Sequence, residues 1–288
     1  MRTATILAAA ACALAAPAAA KPLQTEQFKA TAPFTIQPTR AYLLVRNAGT
    51  DLKLLRVPTA AEQAAYGAER AEALAKARVK YAKQLRAYEA ELKLHNSNKN
   101  PEFRGEGPKK PVEPTDANLA FKAIESDNFV TVWGGRVFEG KAQFIAVPPG
   151  TYRVYGRMLA NATGGLGVCM CMGTVQFDAA PGTITDLGEL HHSAVPGVSV
   201  KEAESWHGMT RGKGGLTSLA IEPAAPGMAV PARLAALPRV AASYRASGKM
   251  DNFFGVMVER LTPMPGVLAY QRDQIIDART STPVIGRD

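Results

Sequence analysis

Phe144-Ile-Ala-Val-Pro-Pro-Gly-Thr-Tyr-Arg-Val-Tyr155 decides the fold class, because two apolar, sheet-forming runs meet there at a Pro-Gly pair. Pro149 presets the backbone for the second position of a tight turn, and Gly150 tolerates the positive φ that follows. The spacing predicts that the two runs fold back on each other as a hairpin. Alternation from Thr151 to Leu159 sets Tyr152, Val154 and Met158 on one face against Arg153, Tyr155 and Arg157 on the other. A third run, Cys169-Met-Cys-Met-Gly-Thr-Val-Gln-Phe177, extends the same sheet.

Upstream, Ala41–Arg46 and Asp51–Val57 read as two strands joined at Asn47-Ala-Gly49, a further expected hairpin. Between Val57 and the next strand, Phe129–Trp133, the composition changes. Thr59 with Glu62 three residues on is a capping box, and the run to His95 is rich in Ala, Glu, Lys, Arg, Gln and Leu. The spacing predicts one helix over 59–95, about 55 Å long. Leu74, Tyr81, Leu85, Tyr88 and Leu92 form a narrow apolar seam on it, and Glu72 pairs with Lys76. Such a seam packs on its own domain or, alternatively, forms a homodimer. Four prolines between residues 101 and 118 make the rest of this insertion a loop.

The fold class that follows is mainly β: a β-sandwich core with a long inserted α-helix and a loop-rich C-terminal third. The expected divisions are 1–20, a signal peptide; 21–57, the first strands; 58–118, the helical insertion and Pro-rich loop; 119–190, the sandwich core; and 191–288, a loop-rich extension. That extension is expected to close on a hairpin formed by Phe253–Leu261 and Val267–Tyr270 around Pro263–Gly266.

The signal peptide rests on Arg2, the apolar run Ala4–Ala16 and the small-residue end Ala18-Ala19-Ala20. Lipoprotein processing at Cys12 is the alternative, although Ala9 stands where a Leu is usual. The expected location is periplasmic or secreted, with no transmembrane segment. The formal net charge is +9, to which the leader contributes one basic residue. Scattered Lys and Arg with little aromatic interleaving point away from nucleic acid and toward an anionic envelope component or a protein partner.

Val147-Pro-Pro-Gly-Thr-Tyr152, a later strand ending in Phe177, the Pro181-Gly182 turn and Leu187-Gly-Glu-Leu190 together resemble the transthyretin-like or carboxypeptidase-regulatory-like β-sandwich modules of exported bacterial proteins. The resemblance covers residues 128–190 and implies a fold and no activity.

Cys169 and Cys171 are the sharpest chemical candidates. In a regular strand residues i and i+2 stand roughly 6 to 7 Å apart on one face, too far for a bond between Cβ atoms that must come within about 3.8 Å. Val175 and Phe177 continue the face of the cysteines, while the polar residues Thr174 and Gln176 continue that of Met170 and Met172. The pair therefore reads as two thiols buried in the core. A copper or zinc site through Cys169, Cys171, His191 and His192 is the alternative, because thiolate and imidazole suit those ions; a bulged disulfide is the third option. His207 and the basic loop Arg211-Gly-Lys-Gly-Gly215 carry no recognised spacing, and Gly-x-Ser-x-Gly and His-Glu-x-x-His are absent from the chain. The functional expectation is an exported, envelope-associated, non-catalytic binding or interaction protein, with no cofactor. A periplasmic metal binder and an enzyme of unrecognised class are the alternatives.

Overall fold

The computed structural model describes residues 23–48, 51–97, 106–161, 164–192, 219–272 and 274–284. In chain order the strands are β1 (Glu26–Phe28), β2 (Ala41–Arg46), β3 (Leu52–Arg56), β4 (Phe129–Val132), β5 (Ala142–Val147), β6 (Gly150–Asn161), β7 (Gly164–Cys169), β8 (Val175–Ala179), β9 (Ile184–His192), β10 (Leu219–Glu222), β11 (Arg239–Ala241), β12 (Arg245–Ala246), β13 (Met257–Val258), β14 (Leu268–Gln271), β15 (Gln274–Asp277) and β16 (Thr282–Pro283). The long helix α1 (Ala60–Ser97) and a short 3-10 turn (Ile124–Asp127) separate β3 from β4. The chain divides into two compact units: Thr59–Ala123 falls in one, and Pro22–Pro58 with Ile124–Asp288 makes the other.

The larger unit is a sandwich of two mixed sheets. One has the order β1-β5-β2-β9-β10, with β11 also on β9; the other runs β12-β8-β6-β3-β4, with β7 on β6 and β13 on β7. A third, small sheet is the meander β14-β15-β16. Between the large sheets lie Leu43, Val45 and Ile145 from one side and Leu54, Val130, Val154 and Phe177 from the other. The outer face of the first sheet is covered as well: Tyr42, Leu44 and Phe144 pack under Phe34, Ile36, Val230 and Leu237. Every residue of β2 and β5 is buried. Strands covered on both faces read as continuous apolar runs, which is why these two show no alternation.

This double burial corrects both upstream hairpins. β5 and β6 do fold back at Pro148-Pro149-Gly150, but they lie in opposite sheets, so the turn is a corner of the sandwich. The Tyr152 hydroxyl donates 2.5 Å to the Pro148 carbonyl and pins that corner. β2 and β3 likewise separate into different sheets. The alternation along β6 also breaks. Leu54 pairs with Val154 and Lys53 with Gly156, so Tyr155 is an extra, bulged residue. Downstream of the bulge Arg157, not Met158, shares the face of Val154, since it pairs with the core residue Leu52. Arg157 is buried, donates 2.7 Å to the Ala48 carbonyl, and burial pushes its guanidinium down to about 10. Glycine is required at 156, where a Cβ would come within 2.0 Å of the Val168 carbonyl oxygen.

A buried and a half-buried cation converge on one buried carboxylate. Arg46 grips Asp186 in two bonds of 2.6 and 2.9 Å, and Arg239 adds a third at 2.9 Å. The Gly188 N–H donates to the same carboxylate at 3.0 Å. Burial works to raise the Asp186 pKa, but the Arg46 and Gly188 hydrogen bonds, with the Arg46 charge, hold it below the usual carboxylate range. The network ties β2, β9 and β11 together.

The smaller unit is inserted in the β3–β4 connection. At the root of that connection Arg56 N–H donates 2.9 Å to the Asn128 carbonyl, and the Arg56 guanidinium reaches the Asn128 side chain at 3.0 Å. The capping box forms as expected: Thr59 N–H donates to Glu62 at 2.7 Å, and Glu62 N–H to the Thr59 hydroxyl at 3.2 Å. Glu72 and Lys76 pair at 2.6 Å. Of 38 helical residues only Leu74 is buried, with Tyr81, Leu85, Tyr88 and Leu92 half-buried.

Residues 106–123 return along this helix. Gly107 stands against the His95 ring, Asp116 binds Arg70 at 3.1 Å, and Phe121 meets Tyr66 with ring centroids 5.4 Å apart. Pro108, Pro111 and Pro114 are half-buried, while Lys109, Lys110, Val112 and Glu113 are exposed. A period of three is that of a polyproline helix, so the prolines make one covered ridge. Residues 106–118 of the stretch read as a plain loop are thus an ordered strap on the helix.

The last hairpin is displaced from its expected position. Of Phe253–Leu261 only Met257 and Val258 are paired, in parallel with Val168 and Cys169 of β7. The antiparallel pair is β14–β15, which begins at Leu268.

Candidate binding surface

Cys169 and Cys171 form a disulfide. β7 ends at Cys169, and the chain then turns through Met170–Gly173, bringing the two Cα atoms to 5.2 Å, inside the range a disulfide needs. The expectation of buried free thiols assumed that the strand continued, and it is corrected here. The turn also resets the alternation. Met170 points into the core with Val175 and Phe177, while the sulfurs lie on the outer face of the second sheet beside Tyr155.

The copper or zinc reading falls with the thiols, since each sulfur is bonded to the other. His191 and His192 sit on β9 opposite Ala220 and Leu219, in the other sheet from β7. Among the described residues no group of three or more His, Cys, Asp and Glu is arranged to hold a metal ion. His207 and Arg211–Gly215 lie outside the described residues.

The disulfide braces a cluster of rings. Tyr155, turned outward by its bulge, meets Phe129 of β4 edge-on at 5.0 Å. Phe254 closes on both, 4.8 Å from Phe129 and 5.6 Å from Tyr155, and Phe253 stands 5.2 Å from Phe254. Such tilted and edge-to-face pairs add to the stability gained from area alone. Burial pushes the Tyr155 phenol pKa up, against hydrogen bonds from the Phe254 and Phe253 backbone that lower it.

The loop carrying the two phenylalanines is held at both ends and in the middle. Met250 N–H donates 3.2 Å to the Cys171 carbonyl, and Glu259 N–H donates 2.9 Å to that of Cys169. Both carbonyls belong to the two bonded cysteines. Within the loop the Asn252 side chain donates to the Val256 carbonyl at 2.5 Å and accepts from the Val256 N–H at 3.0 Å, while Gly255 supplies the positive φ. Phe253 and Phe254 nevertheless remain 37% and 39% exposed. A fixed loop therefore displays two aromatic side chains to solvent.

No protein-family model, curated protein or solved structure matches this chain. The site must accordingly be judged on its own geometry. Rigid aromatic side chains with two rotatable bonds lose little entropy when covered, which suits contact with an apolar surface. This platform was overlooked in the sequence, although Asn252-Phe-Phe-Gly255 held a signal: adjacent large apolar residues between turn formers. The Asp186 network was overlooked too. Its signal was a carboxylate inside the apolar run Ile184–Leu190, which demands a buried partner.

Proposed function

We propose that the protein is an exported, envelope-associated binding protein that acts by contact, engaging an apolar partner surface with the Phe253–Phe254 platform. The observation that carries this reading is the ring cluster whose loop hangs from the carbonyls of the two disulfide-bonded cysteines. The leader pattern of residues 1–20 supports export to the periplasm or beyond, and a disulfide fits the oxidising compartment reached that way. The sandwich corner at Val147-Pro-Pro-Gly-Thr-Tyr152 supports placing the core among transthyretin-like modules. Among the described residues no helix is long and apolar enough to cross a membrane.

The test compares the mature, oxidised protein with a Phe253→Ser, Phe254→Ser variant in sedimentation with envelope fragments from the producing cell. Phe254 packs on Phe129 and Tyr155, so the variant should unfold at a somewhat lower midpoint yet stay folded at the assay temperature, which its melting curve checks. Two truncated aromatic anchors at about 1 kcal/mol each should weaken binding about 25-fold. Equal sedimentation of the two proteins would remove the platform from the reading.

A further inference from the structure

From Ala73 to Tyr88, α1 carries Lys76, Arg78, Lys80, Lys83 and Arg86 and no carboxylate. All five side chains are exposed. At 3.6 residues per turn Lys76, Val79, Lys80, Lys83, Arg86 and Leu94 fall within an arc of about 120°, opposite Leu74, Leu85 and Leu92; Arg78 lies toward the seam, and Glu69 and Glu72 share the arc at its N-terminal end. Val79 and Leu94 are 61% and 73% exposed, so this stripe pairs lysines with bare apolar side chains. Glu72, within the arc at its N-terminal end, bonds Lys76, but both partners are largely exposed, and such pairs open readily. Glu72 and Glu89 bound the basic stretch in the sequence, Glu69 is half-buried, and Glu91 and, on the strap, Glu113 are exposed.

We propose that this stripe of α1 docks on an anionic phospholipid surface. The shape and the charge both favour a plane. A plane meets several side chains along one line of a straight rod at once, and the cations recur every three or four residues, about 5 Å apart. Four to eight clustered basic residues on a helix form an electrostatic lipid contact, and exposed Val and Leu beside them enter the headgroup layer. The seam side is already occupied by the helix's own strap, which leaves the lysine stripe as the open side within this unit.

The probe is a vesicle of phosphatidylcholine containing one-third phosphatidylglycerol, with pure phosphatidylcholine as reference and the full oxidised protein in the assay. The parent should sediment with the anionic vesicles and not with the neutral ones, and added salt should release it. Each basic residue near such a surface contributes about 1 kcal/mol, roughly fivefold, so Lys80→Gln with Lys83→Gln should weaken binding about 25-fold. Lys29→Gln with Lys249→Gln removes two exposed charges elsewhere and should leave it unchanged. Equal loss in both pairs would reduce the effect to net charge and overturn the proposal. Retention of duplex DNA but not of vesicles, lost in the Lys80/Lys83 pair, would overturn it in favour of a nucleic acid. The vesicles hold no envelope protein, so failure here leaves the aromatic platform standing, and failure of the platform leaves this result standing.

Discussion

The sandwich and its insertion solve opposite problems with the same chain. In the sandwich β2 and β5 are wholly buried and a carboxylate is sealed between two arginines; in α1 one residue of 38 is buried. Stability is thus concentrated in one unit and accessible surface in the other. Cooperative folding must reside in the sandwich, and the insertion is free to present charge. The contrast can be broken most easily where the sandwich is most committed.

Asp186→Ala should be the most damaging change, because it leaves the buried Arg46 and the half-buried Arg239 without their counter-charge. A loss of about 3–5 kcal/mol in urea unfolding is expected. Phe144→Ala should cost a similar amount, about 3–5 kcal/mol, since this fully buried ring touches Phe28, Phe34, Tyr42 and Phe138. The matched change in the insertion, Lys76→Ala, should stay within about 0.5 kcal/mol. If it cost as much as Phe144→Ala, the division of labour would be wrong.

The disulfide is predicted to matter more for position than for stability. Its three-residue ring removes little denatured-state entropy, so Cys169→Ser with Cys171→Ser should cost about 1.6 kcal/mol. Hydrogen exchange should nonetheless accelerate at Met250 and Glu259, whose N–H groups bind the carbonyls of the two cysteines. Unchanged exchange at those two positions would detach the platform from the disulfide.

The pH dependence has a definite sign. The Asp186 pKa is depressed in the folded state, so its contribution is complete above the unfolded carboxylate pKa of about 4 and falls away as pH drops through the folded value. Acid unfolding should therefore be shallower below pH 4 in Asp186→Asn than in the parent. An identical slope would mean that the carboxylate titrates alike in both states.

How much of this was legible follows from what each signal encodes. The capping box at Thr59 and Glu62 is a local contract between neighbours, and it formed as the sequence required. The Pro149-Gly150 turn was also correctly placed, but a turn specifies that a chain reverses, not whether it returns in the same sheet or the facing one. That choice is set by covering both faces of β5, and the cover comes from residues as distant as Val230 and Leu237. The bulge at Tyr155 depends on the approach of the Val168 backbone to Gly156, a contact between strands that no alternation along one strand records. The cysteines were misread for the same reason: pairing at i and i+2 needed the strand to end at Cys169. The platform draws Phe129, Tyr155 and Phe254 from three separate stretches, so only its Phe-Phe loop was visible in advance.

The most direct test of the division between the units is removal of residues 59–123, joining Pro58 to Ile124 through a short Gly-Ser turn. Arg56 and Asn128 already bond across that junction at 2.9 Å, and shortening a loop costs little conformational entropy. Urea unfolding of the oxidised variant should remain a single cooperative transition, with a free energy within about 1 kcal/mol of the parent sandwich. Loss of the cooperative transition would show that the sandwich does not stand without its insertion, and would contradict the account.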